Sequence, residues 1–86
     1  MIKLAAQLTA QQVAEMWSEK ATLFVNQSID LSDIRQIDSA GVAFLVKWAQ
    51  TLQVQQHKFK LTGLPDGLLR LIRLYGVESL FDIQPQ

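Results

Sequence analysis

An α/β fold, with a mixed, partly parallel sheet packed by about three helices, is what this chain predicts from three observations. Short strand-like segments alternate with helix-like ones along its whole length. The run from Ser28 to Val42 carries an apolar strand through two turns directly into a hydrophobic helix opened by the hydroxyl residue Ser39. A turn cluster, Gly63-Leu64-Pro65-Asp66-Gly67, separates a strand of alternating charge from a helix with one apolar face.

The elements follow in order. Ile2-Lys3-Leu4-Ala5 alternates as a short strand does, with Ile2 and Leu4 toward the core. Thr9 with Gln12 three residues later fits a capping box, and Leu8 with Val13 fits the hydrophobic staple that fixes the angle of chain entry. Val13, Met16, Trp17, Ala21 and Phe24 recur at helical spacing, which predicts one helix to about Phe24, a core Trp17, and Asn26 in the closing turn. Ile29 and Leu31 mark a strand that is central and parallel to a neighbour, because helices lie before and after it. The second helix starts at a Ser39 cap and ends near Val54. Lys58-Phe59-Lys60-Leu61-Thr62 is the next strand. A third helix, capped by Asp66, carries Leu68, Leu71, Ile72 and Tyr75 on one face and Arg70 and Arg73 on the other. It stops at Gly76, which suits a left-handed C-terminal residue. Leu80-Phe81-Asp82-Ile83 forms a last short strand.

At 86 residues the chain has room for one small domain. Lys+Arg and Asp+Glu are both 8, so no net field gathers nucleic acid or an anionic membrane surface. Without cysteine there are no disulfides, thiolate zinc sites or cysteine nucleophiles, and one histidine makes no histidine-rich metal site. No run approaches the roughly 18 apolar residues of a membrane span, and Lys3 ahead of polar Gln7 is unlike a secretory signal. The composition fits a cytoplasmic protein that reaches a membrane only indirectly, through a partner, and needs no cofactor or metal.

The layout Ile29-Asp30-Leu31-Ser32, then Ile34, then Ile37-Asp38-Ser39-Ala40-Gly41-Val42 resembles the signature of STAS domains, a family of anti-sigma-factor antagonists and small transporter-regulating modules. The later segment Leu74 to Ile83 is similar to the ending many members share. With its short chain, Trp17 in the first helix and Leu74-Tyr75 closing the third, the sequence looks most like the small cytosolic subunits of phospholipid-transporting ABC complexes. The resemblance implies a non-enzymatic subunit, peripheral to the inner membrane, whose partner is the ABC-transporter ATPase subunit. It implies as the alternative an anti-sigma-factor antagonist in which Ser39 is the phosphoacceptor. STAS domains usually have a strand before the one matching Ile2 to Ala5, so either the true start lies upstream or this member is trimmed. The resulting open sheet edge is a place for homodimer pairing.

Partner-binding residues are expected around the second helix. At 100° per residue Val42, Leu45, Val46, Ala49 and Leu52 form a core face, while Phe44 and Trp48 lie opposite. Two exposed rings beside Ser39 would mark an interface, unless a tail or another strand covers them. Ser39, Ala40, Phe44 and Trp48 are therefore the predicted partner-binding set, with Ser39 either a plain cap or a contact. Asp30 and Asp38 lack the histidine, metal ligands or paired nucleophile of a catalytic site and read as turn and strand-end hydrogen-bonding groups. His57, Arg70 and Arg73 read as solvated, and Gly63 with Gly67 is too sparse to cradle a phosphate.

Overall fold

The computed structural model describes residues 2–3 and 7–84, without the side chains of residues 2, 3 and 20. The expected core-facing side chains of Ile2 and Leu4 lie outside that description. The elements are β1 (Ile2–Lys3), β2 (Gln7–Leu8), α1 (Ala10–Trp17), α2 (Lys20–Leu23), β3 (Ser28–Asp30), β4 (Gln36–Ile37), α3 (Ser39–Val54), β5 (Phe59–Thr62), α4 (Asp66–Leu74), a 3₁₀ turn (Glu78–Leu80) and β6 (Phe81–Ile83).

Strands β1, β3, β5 and β6 form a sheet in that spatial order, and every pair in it is parallel. β3 is central, as its apolar Ile29 requires: Ile29 lies opposite Ile2 on one side and Leu61 on the other, and both Ile29 and Leu61 are fully buried. A second ladder, not foreseen from the sequence, pairs β2 with β4 through Gln7 to Gln36 and Leu8 to Ile37. Two-residue strands carry no readable alternation, so their pairing is visible only once the chain is folded.

The first helical stretch is two helices, not one. Ser18 turns its hydroxyl onto the Glu15 carbonyl at 3.3 Å, and the Glu19 amide bonds the Met16 carbonyl at 2.9 Å in a tightened last turn. Asn26 closes α2 by donating its amide to the Leu23 carbonyl at 2.9 Å. Thr9 precedes α1 without a side-chain cap, so the capping box with Gln12 does not form. Asp66 is the first residue of α4 and Pro65 holds the cap position, leaving the Asp66 carboxylate to favour the positive helix end by its charge. Tyr75, placed on the core face by periodicity, is 48% exposed, whereas Leu68 and Ile72 are fully buried.

Two helices end in the same motif with different residues. At α4 the Val77 amide bonds the Ile72 carbonyl and the Gly76 amide bonds the Arg73 carbonyl, with Gly76 at φ 69°. At α3 the His57 amide reaches Leu52 and the Gln56 amide reaches Gln53, but here Gln56 takes the left-handed conformation at φ 64°. A Cβ in that region costs roughly 1–2 kcal/mol. Gln56→Gly should therefore raise stability by about 0.5–1 kcal/mol in urea denaturation, the gain trimmed by the greater freedom of glycine in the unfolded chain. A midpoint at or below that of the parent protein would contradict this.

Candidate functional site

The segment from Leu8 to Gly41 builds the head of α3, and each residue of Asp38-Ser39-Ala40-Gly41 has a separate task. Asp38, not Ser39, is the cap: it is extended at φ −142° and its Oδ1 accepts from the Gly41 amide at 3.2 Å. Its Oδ2 accepts from the Ala10 amide at 3.0 Å, which supplies α1 with the cap that Thr9 does not. The Ala10 amide, then those of Gly41 and Ala40, hold the Asp38 carboxyl below the usual carboxylate range, with burial opposing them. Because folding lowers this pKa, the stabilisation is complete above the ordinary carboxylate range and is lost as pH falls through the lowered value.

Ala40 is partly buried in the first turn. Gly41 is buried against β2, and a Cβ built on it would meet the Leu8 carbonyl and come within 2.7 Å of Leu8 Cγ. Ser39 is thus relieved of structural duty. It is exposed as the first residue of α3, and its hydroxyl has no hydrogen bond among the described residues.

The aromatic part of the predicted site is overturned. Phe44 is 2% exposed and Trp48 is fully buried. α3 is apolar on two faces because both are covered: β5 lies on one side, and α1 with Phe24, the residue after α2, on the other. Trp48 stacks on Phe59 of β5 at 4.6 Å and on Phe24 at 5.2 Å, and its indole N–H donates to the Asn26 carbonyl at 3.0 Å. Phe44 meets Phe24 at 5.4 Å and Trp17 at 6.2 Å. Trp17, expected in the core, is 40% exposed and lies over Phe44 like a lid.

The surface that does open beside Ser39 is a mostly apolar groove that sequence reasoning missed. Ser39, Ala43, Val46, Lys47 and Gln50 of α3 form one wall, and Tyr75 and Val77 after α4 form the other. The signal for it was present in the spacing of Ser39, Ala43, Val46 and Gln50, which share a helix face next to the core face. Its small residues made that face look unremarkable next to Phe44 and Trp48.

The two aspartates weighed as bases are both engaged in local structure: Asp30 Oδ1 accepts from the Ser32 amide at 2.9 Å, and Asp38 caps two helices. Arg73 pairs with Glu78 at 2.8 Å, and His57 and Arg70 are exposed. Among the described residues there is no cluster of three histidine, cysteine or acidic side chains that could hold a metal, and no helix is long and apolar enough to cross a membrane.

A parallel α/β domain with a capped helix that leaves an exposed serine at its head defines the class, and the chain belongs to the STAS domain family. Within it, residues 1–83 match the group described as "Mlab, STAS domain". The chain is also similar to the anti-sigma-B factor antagonists of Listeria monocytogenes and Listeria innocua, each 32% identical over 56 residues. That stretch is 65% of this chain and 49% of each relative, so the chain spans about half the length of the curated relatives it matches.

Proposed function

We propose that this protein is a non-enzymatic accessory subunit of an ABC-type intermembrane phospholipid transport system, cytoplasmic and held at the inner membrane by docking on the ATPase subunit. The observation that carries this reading is the groove at the head of α3. Ser39 stands free at its edge, Tyr75 is exposed across from it, and the wall between them is largely apolar. A half-exposed tyrosine beside small apolar side chains suits a protein interface, because it contributes contact area without filling the domain's own core. The match to the MlaB-type group supports the choice of partner.

Tyr75→Ala should weaken binding to the ATPase subunit by about 2 kcal/mol, roughly thirtyfold in Kd by calorimetry, as for a truncated interface anchor. Its melting temperature should stay close to that of the parent, since Tyr75 is not in the core. Unchanged affinity would move the interface away from this groove, and failure of the two proteins to associate at all would remove the transporter role.

A second reading has its own observation. The curated relatives are anti-sigma-factor antagonists, and Ser39 is accessible as a phosphoacceptor. Phosphate transfer to Ser39 by a kinase of the native host, together with binding to that kinase and not to the ATPase, would favour it.

A further inference from the structure

α3 carries a single charge in its 16 residues, Lys47, although one side of the helix is open to solvent. The exposed side of a surface helix is ordinarily charged. On α3 that side presents Ser39, Ala43, Gln50 and Val54, with Val54 86% exposed, and depletion of charge is what sets the centre of a protein interface apart from ordinary surface. By contrast α4 exposes Asp66, Arg70 and Arg73. A second hollow opens on the other flank of α3, lined by Ala21, Phe24, Val25, Lys47, Thr51 and Gln55, and Val25 in its wall is 68% exposed. Lys47 lines both this hollow and the groove beside Ser39, and no other charged residue among those described is in either lining. It also has no ion-pair partner among the described residues, whereas Arg73 has Glu78.

We propose that the docking surface runs across α3 from the groove into the second hollow, and that its occupant is a segment of the ATPase partner with apolar side chains on either side of a carboxylate that pairs with Lys47. A lone cation between two apolar hollows is complementary to that arrangement. The stem of Lys47 lies along apolar surface and its ammonium group needs an anionic acceptor once a partner excludes water. An apolar segment without an acid would leave the ammonium group desolvated and unpaired, and a basic segment would be repelled. Lys47 thereby selects among partners that would otherwise fit equally well. The inference deepens the docking reading and rests on it for the partner, but it stands on Lys47 and Val25, which the Tyr75 experiment leaves untouched.

The test is calorimetry of the whole chain against the ATPase subunit at low and high salt. Lys47→Met keeps the apolar stem and removes the charge, so Kd should rise roughly tenfold at low salt and lose most of its salt dependence. Lys47→Arg should stay within about threefold of the parent, and Lys47→Glu, which sets like charges together, should raise Kd more than roughly a hundredfold. Val25→Asp should raise it roughly tenfold by placing an unpaired charge in the second hollow. Arg70→Met removes the same charge from α4, outside both linings, and should bind as the parent does. All five positions of substitution are exposed, so melting temperatures should stay near the parent value. If Tyr75→Ala weakens binding while Lys47→Met or Val25→Asp binds like the parent, this inference is overturned and the docking reading stands. Equal losses in Lys47→Met and Arg70→Met would also overturn it, since the effect would then be one of net charge. So would Lys47-dependent sedimentation with phosphatidylglycerol vesicles alongside ATPase binding indifferent to Lys47, which would assign the cation to a lipid surface. Failure of the two proteins to associate at all would remove both readings together.

Discussion

Trp48→Ala should leave the protein barely folded. The side chain is fully buried, stacked between Phe24 and Phe59, and its N–H holds the Asn26 carbonyl that follows α2. Truncating a buried aromatic costs about 3–5 kcal/mol through lost transfer energy and the cavity left behind. Losing the indole donor also strips the Asn26 carbonyl of a partner, a further cost of about 1 kcal/mol. Against a total stability of roughly 5–15 kcal/mol for a small domain, this removes most of what holds the fold. Urea denaturation followed by circular dichroism reads it directly. A variant that melts within a few degrees of the parent and merely binds its partner less well would place Trp48 on the surface, contrary to its packing here.

Gly41→Ala should also destabilise the fold, although helix propensity alone favours it. Alanine in a helix interior gains about 1 kcal/mol over glycine. Here the added carbon would run into the Leu8 carbonyl and approach Leu8 Cγ to 2.7 Å. Leu8 has nowhere to go, because its side chain is fully buried and its carbonyl accepts from the Asp38 amide. Overpacking of this kind costs about 3 kcal/mol where backbone must move, so after the propensity gain the net effect is a loss of about 2 kcal/mol. The shift separates β2 from α3 and carries the cap of α1 with it, so circular dichroism should show lost helix as well as a lower urea midpoint. A stability equal to or above that of the parent would mean that β2 does not lie against Gly41.

What the sequence determined by itself was the order and type of the main elements. Apolar spacing marked β3, α3, β5 and α4, and Gly76 ended α4 where its left-handed conformation was predicted. The layout from Ile29 to Val42 together with the ending from Leu74 to Ile83 pointed to the family, which the match over residues 1–83 then showed. Periodicity works for these elements because period is a property of a single segment.

Only the tertiary structure decided which apolar faces are covered and which distant residue satisfies a helix start. Phe44 and Trp48 carry the same sequence pattern whether Trp17 and Phe24 lie over them or solvent does, and the turn at Ser18 and Glu19 precedes the segment that sets Phe24 on Trp48. The exposed site shifted accordingly, from two large rings to the smaller residues of the groove between Ser39 and Tyr75. The cap of α1 came from Asp38 and not from Thr9, because a carboxylate 28 residues away is brought to the Ala10 amide by the pairing of β2 with β4. Burial and long-range hydrogen bonding depend on neighbours that are distant in the chain, and a local pattern of residue types carries no information about which neighbour arrives.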